Sequence, residues 1–345
     1  MSYTNGLDKP SDYFNTVIYT GNGSTQSITV GFQPDLVWGK SRSGSGYHHN
    51  LVDSVRGNTK YLESDRANAE NTLTDAVTSF TSDGFTLGAD AGDREFNENN
   101  NSMVAWNWLA GNGTASNSNG SITSTVSANT TAGFSIVSYT GNGTDNATVG
   151  HGLSVTPSFA LVKNRDDSDH WGVWHQSFSA HTSYNSLSQN IATINSDDIF
   201  KAFSSTLFTL GTDSWSNTNT EKYVAYLFAE KKGFSKFGSY TGNGNADGTF
   251  VYTGFSPSFV MVKKTNGTGN WVMFDNKRNT FNVVNKRLVA NLSDDEGTSD
   301  RLDFLSNGWK FRSDSTNVNG SDSYIYMAFA EHPFVSSTGT STTAR

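Results

Sequence analysis

The pentapeptide Tyr-Thr-Gly-Asn-Gly occurs three times, at Tyr19–Gly23, Tyr139–Gly143 and Tyr240–Gly244. The spacing, about a hundred residues, is that of a structural unit rather than of a lone turn. Each pentapeptide closes an apolar run: "FNTVIY", "FSIVSY" and "FSKFGSY". Its Asn-Gly pair supplies a positive φ at little steric cost. The third run has one extra residue, which predicts a bulge at Gly238.

Four further landmarks follow in the same order. Pro34–Lys40, Pro157–Lys163 and Pro257–Lys263 each open with proline, which suits a strand entry because it donates nothing to a ladder. Leu36 and Trp38 share a face, as do Phe159 and Leu161, and Phe259 and Met261; the intervening residues are apolar too. A strand apolar on both faces is covered twice, by a loop of its own unit or by another subunit. Then come "HNLVDSVRG" from His49, "WGVWHQSFS" from Trp171 and "WVMFDNKRN" from Trp271. A hairpin follows, with Asp83-Gly84 and Asn307-Gly308 as tight-turn signals and Thr206-Leu207 as the odd copy. The last strand carries Val104, Trp106 and Trp108 on one face, matched by Val224, Tyr226 and Phe228 and by Ile325, Met327 and Phe329. The opposite face is lined with alanine.

The spacing divides the chain into repeat one (1–111), a Ser/Thr/Asn/Gly linker (112–132), repeat two (133–232), repeat three (233–335) and a polar tail (336–345). The linker is expected to be flexible or extended, leaving copy one free to move while copies two and three form a rigid pair. The segment Thr59–Leu73 has no clean helical stripe and is expected as a loop. The fold class predicted is all-β: three tandem antiparallel β-sandwich repeats, jelly-roll-like, of about a hundred residues each.

Composition narrows the partners. The net charge is −8 with no basic run, which argues against nucleic acid. Cysteine is absent, excluding disulfides and thiolate metal sites. The N-terminus has no signal-peptide pattern, and no stretch is long enough for a membrane span. His170, His175 and His181 lie near Asp166, Asp167 and Asp169, in a spacing that fits no standard metal site, so no metal or cofactor is expected. Glu230 and Glu331 recur after the last strand but have no counterpart in copy one, so no catalytic acid is assigned. Asp53–Arg56 and Asp275–Arg278 are three apart, a spacing for a salt bridge that closes a turn. The ligand-binding candidates are Trp215, Trp171, Trp174 and His170, because exposed aromatics stack on sugars and anchor interfaces. Trp171 matches Trp271, which points to a structural role; Trp215 has no counterpart and is the stronger candidate.

The landmarks "DYFNTVIYTGNGS", "PDLVWGKSR", "LVDSVRG", "SDGFTLG" and "MVAWNWLAG", with the closing "YMAFAEHPF" and "TAR", resemble a repeat domain of unknown function in virion proteins of tailed phages, especially those of marine cyanobacteria. Copy two departs from it at His175–Ser179. The resemblance implies a non-enzymatic, structural or adhesive protein on the virion surface, tail-fibre-like, that binds a host glycan or other virion proteins as a homo-oligomer. The alternatives are a capsid decoration or head-fibre protein, and a carbohydrate-binding module array of a bacterial surface protein.

Overall fold

The computed structural model describes residues 6–44, 46–91 and 96–341; the terminal "TAR" lies outside them. The described chain is all-β, with several antiparallel sheets and one short 3-10 turn at Pro10–Asp12. Among the described residues no helix is long and apolar enough to cross a membrane.

Copy one builds a larger sheet in which Ser102–Trp108 lies between Phe14–Thr20 and Leu36–Ser41, continuing through Asn50–Asp53, Lys60–Glu63 and Asn71–Thr72. A smaller sheet places Gly84–Leu87 between Gln26–Thr29 and Val77–Thr81. Copies two and three have the same order: Lys222–Phe228 and Ser323–Pro333 sit between the first strand and the proline-led strand. The pairings agree residue for residue. Trp108 pairs with Phe14 and Leu36, Phe228 with Phe134 and Phe159, Phe329 with Ser235 and Phe259. Pro34, Pro157 and Pro257 each stand two residues before that pairing; Pro34 and Pro157 precede their strands as expected, whereas Pro257 lies inside Phe255–Lys264, opposite Ala330 at a break in the register.

Several local expectations are corrected. The third opening strand keeps an unbroken register through Gly238, so there is no bulge; the extra residue precedes the strand. Gly238 instead leaves room for the Tyr326 ring, whose hydroxyl would lie 2.6 Å from a Cβ. Thr59–Leu73 is not a loop, since it contributes Lys60–Glu63 and Asn71–Thr72 to the larger sheet, with Tyr61 and Leu62 both buried on opposite faces. In the hairpins, Gly84 and Gly308 are first strand residues rather than turn residues. They are glycine because the carbonyls of Ile28 and Val251 pass 1.9 and 2.0 Å from where a Cβ would sit. In copy two the position is Leu207, and the glycine has moved to its partner, Gly150.

The Tyr-Thr-Gly-Asn-Gly loop is held from a distance. Its second glycine has φ of 61°, 64° and 63° in the three copies. Its first would carry a Cβ within 2.3 Å of a backbone carbonyl in each copy, so no side chain fits. The carbonyl belongs to a segment led by a buried asparagine: Asn97, Asn217 or Asn319. That asparagine's Oδ1 accepts the backbone N–H of Asn22, Asn142 or Asn243, and its amide donates to two further carbonyls in every copy. The loop tyrosine reaches the same segment, with Tyr19, Tyr139 and Tyr240 donating to the carbonyls of Phe96, Ser216 and Val318. No local pattern marks these asparagines, because their partners are about 75 residues earlier.

The apolar faces explain the arrangement of the chain. The alanine-lined face of each larger sheet packs on its own smaller sheet, giving three separate clusters, one per copy. The bulky faces of all three larger sheets share a single cluster. At its centre Trp108, Phe228 and Phe329 form a closed triangle, with ring centroids 6.1, 5.9 and 5.7 Å apart. The second face of the proline-led strand is therefore covered by the other two copies of the same chain. Copy one is packed on the other two, and the second apolar face, expected to be covered by a loop of its own unit or by another subunit, is covered within the chain.

The 112–132 segment is likewise no loose linker. Ala115–Asn117 and Ser124–Asn129 extend the larger sheet of copy two beside Phe134–Thr140. Between them Ile122 forms a parallel bridge to Val149, on the smaller sheet. The polar residues that look like a linker serve instead as turn and edge residues, with Ser121, Ser124 and Asn117 bonding to backbone or side chain.

Two outcomes follow. Asn217→Ala leaves the Asn142 amide and the carbonyls of Thr144 and Gly211 without their partner, and should cost on the order of 3 kcal/mol in urea unfolding; a loss within 0.5 kcal/mol of zero would contradict the anchoring role. Because one core joins all three copies, the chain should sediment at 37.4 kDa and unfold in one calorimetric transition. Separate melting of copy one would contradict the shared core.

Candidate functional site

Of the four candidates, Trp171 and Trp174 prove to be core residues. Trp171 is fully buried, stacks on Tyr226 at 6.2 Å and donates its indole N–H to the carbonyl of Glu63 at 2.7 Å. Trp174 points to the other face, stacked on Phe203 at 4.0 Å with the His181 ring against its edge. The reason lies in the strand: Trp171 and Trp174 are an odd number of residues apart on a sheet covered on both sides.

His170 and Trp215 do come together. Their ring centroids are 5.3 Å apart, and Tyr184 meets Trp215 from another side at 5.8 Å. All three are half-buried. Both His170 ring nitrogens are engaged, with Ser188 Oγ at 2.9 Å and Gln189 Nε2 at 3.0 Å. Burial and the nearby Lys163 ammonium hold its pKa below the ordinary value. With both nitrogens bonded, the ring is held in place and presents a face for contact. Tyr184 sits in a strand reading "SYNS" and gave no signal in the sequence.

The other polar groups singled out lie at the seams between copies. Asp53 accepts the backbone N–H groups of Val55 and Arg56 and pairs with the Arg56 guanidinium, fully buried. Tyr226 of copy two donates to the same carboxylate at 2.7 Å. Copy three repeats this device: Asp275 holds Arg278 and accepts the Trp106 indole N–H of copy one at 3.1 Å. In copy two the pair becomes His175 and Phe178, and the facing position on copy three becomes Met327 instead of Trp or Tyr. His175 then donates to the carbonyl of Tyr326 at 3.0 Å. Losing the carboxylate and losing the donor aimed at it occur at the same seam, since either alone would leave a buried polar group unpaired.

A second ring of contacts runs outside the first. Arg56 and Arg165 share Glu70, and Arg278 and Arg42 share Glu296. Both glutamates are held below the usual carboxylate range; burial opposes ionisation, and the paired guanidinium groups outweigh it. The backbone closes the ring: Glu70 N–H bonds to Arg165 O, Glu296 to Arg42 O and Thr193 to Thr265 O, at 2.8, 3.0 and 2.9 Å. Copy two thus grips copy one, copy one grips copy three, and copy three grips copy two. Lys40 and Lys263 also reach across seams, to the carbonyls of Ser293 and Ile191, while Lys163 bonds within its own copy. Lys40, Lys163 and Lys263 are buried with Nζ facing backbone carbonyls, and burial pushes Lys163 down to about 8 and Lys263 to about 7. The histidines weighed as metal ligands are dispersed by this arrangement, and among the described residues no group of three or more acidic or imidazole side chains could hold a metal ion.

His175 gives the seam a pH dependence. Its Nδ1 accepts the Ser177 N–H at 3.0 Å, and burial pushes its pKa down to about 4. The unfolded chain binds a proton near pH 6.5, the folded one only near 4. Stability is therefore complete above the unfolded value and falls as the pH drops from 6.5 towards 4, by about 3 kcal/mol in full. Buried His49, pushed down to about 3, adds in the same direction. In urea unfolding between pH 6.5 and 5, His175→Gln should flatten the slope; an unchanged slope would assign the loss elsewhere.

No curated protein and no solved structure matches this chain. One family model, described as Domain of unknown function (DUF7483), matches residues 9–333. That single span takes in all three pentapeptides together with the 112–132 segment, the same extent as the shared core and its seams. The chain belongs to the DUF7483 family.

Proposed function

We propose that the three copies are β-sandwich repeats related by a threefold rotation within one chain, and that the protein is a non-enzymatic, structural or adhesive component of a tailed-phage particle. The support for the rotation is the ring of equivalent contacts, copy two to one, one to three and three to two, which is how identical heterologous interfaces close. One chain thereby reaches the rigidity that separate subunits reach by cyclic association.

A single observation supports a scaffold over an enzyme. The conspicuous charged and indole groups, Asp53, Arg56, Glu70, Arg165 and Trp106 among them, are occupied in holding copies together. Displayed function then falls to loops and sheet edges, such as the half-buried His170–Trp215–Tyr184 cluster. The resemblance to virion proteins supports a reading in which these loops are displayed on a particle exterior and face a host glycan or another virion protein.

Antibody raised against the purified chain should label the outside of intact particles in immunogold micrographs, and fluorescent chain should adsorb to host cells without releasing reducing sugar from their polysaccharide. Label confined to broken particles, or steady sugar release, would overturn the proposal.

A further inference from the structure

We infer that copy three carries a saccharide-binding groove beside its junction with copy two. The inference rests on the adhesive reading above and names the ligand class for one place on the surface.

The outward positions of the first strand in each smaller sheet differ sharply. They are Ser27 and Thr29 in copy one, Thr148 and Gly150 in copy two, Phe250 and Tyr252 in copy three. An edge strand facing water normally keeps polar residues there. Copy one follows that rule. In copy two the chain itself covers the strand: Ile122 N–H bonds to Thr148 O at 3.0 Å, and Asn117 lies 2.2 Å from where a Cβ on Gly150 would stand. Copy three is preceded only by the short 230–234 connection, so no such segment covers it. Phe250 and Tyr252 nonetheless remain 44% and 55% exposed. They alternate on one strand, which sets them about 6.6 Å apart on the same face.

Tyr252 also forms one wall of a groove of about 440 Å³, with Phe334 on the wall and Glu230, Lys236 and Thr253 among the polar groups. Phe334 is fixed there by its N–H bond to Gly254 O at 3.1 Å. Glu230 is oriented too. One oxygen takes the Lys236 ammonium at 3.1 Å, and the other accepts the Phe237 N–H at 3.3 Å and the Gln176 amide at 3.4 Å. The volume lies in the range of small-ligand sites, and a mostly apolar wall with a few held polar groups is their usual form.

The chemistry selects among ligands. The groove presents one carboxylate, Glu230, and two ammonium groups, Lys232 and Lys236, with Glu230 and Lys236 already paired; these groups disfavour a purely apolar occupant, and the carboxylate repels an anion set against Glu230. A neutral pyranose satisfies both, since its C–H face stacks on Tyr252 and its hydroxyls donate to Glu230 and accept from Lys236. Phe250 continues the aromatic surface to a second ring, so a di- or oligosaccharide is the expected ligand.

The test is a printed array of several hundred neutral and charged glycans probed with the full chain, alongside Tyr252→Thr, which restores the residue of copy one, and Glu230→Gln. The wild-type chain should retain a discrete set of neutral glycans, and each variant should lose at least tenfold in affinity with an unchanged melting temperature. Hydrogen exchange with the best glycan should slow at 230–236 and 250–254. Were Tyr252→Thr to misfold, Glu230→Gln and the exchange pattern would still decide. No retained glycan, equal affinity in both variants, or protection at His170 and Trp215 instead would each overturn the groove. If labelled chain and both variants adsorb equally to host cells, the groove fails while the adhesive reading stands; if the wild-type chain does not adsorb at all, the adhesive reading fails first.

Discussion

The closed contact of Trp108, Phe228 and Phe329 is the constraint on which the rest of the structure depends. Each of these rings projects from the strand that lies between the opening strand and the proline-led strand of a larger sheet, and each needs the other two sheets to exclude water from it. A larger sheet packed only on its own smaller sheet would leave its bulky face to water. The three larger sheets share one core and so gain a second buried face apiece. The cost is that none of the three is complete alone, which makes the connections between copies part of the fold rather than tethers.

That sharing sets the rules for polar groups. Buried charges are tolerated only where paired and hydrogen-bonded. At two seams an Asp–Arg pair meets a Tyr or Trp donor from the neighbouring copy, and a glutamate then bridges two guanidinium groups. At the third seam the acid, the arginine and the donor are all absent, and a neutral histidine bonded to a backbone carbonyl takes their place. The seams are chemically distinct although the backbone contacts around them are the same. Distinct seams fix the order in which copies neighbour one another, since Trp106 aimed at His175 or Met327 aimed at Asp275 would each leave a buried group unpaired.

The same logic separates the outer surface of copy three from the others. Copies one and two either keep Ser and Thr on the first strand of the smaller sheet or cover that strand with the 112–132 segment. Copy three does neither, and its exposed rings adjoin the groove that holds Glu230 and Lys236. A scaffold with three equivalent positions can specialise one of them without disturbing the core, because these side chains face away from it.

The all-β strand content, the recurrence of the landmarks and the two-sided burial of the strand after each proline were legible in the sequence alone. All of these rest on local periodicity or on identity between copies. Trp215 and His170 were legible as ligand candidates, but their contact with each other and with Tyr184 was not. What covered the second apolar face was decided only by the tertiary structure, because alternation shows that a face is buried and not against what. The buried asparagines behind the pentapeptide were illegible for a related reason: their bonds join residues about 75 apart. Trp171 and Trp174 share the residue type of ligand-binding aromatics, but the sheet beside them is packed on both faces and buries one ring in each core. The 112–132 segment looked like a linker because Ser, Thr and Asn serve equally in loose chain and in edge strands whose outer side meets water, and only the presence of a neighbouring strand distinguishes the two.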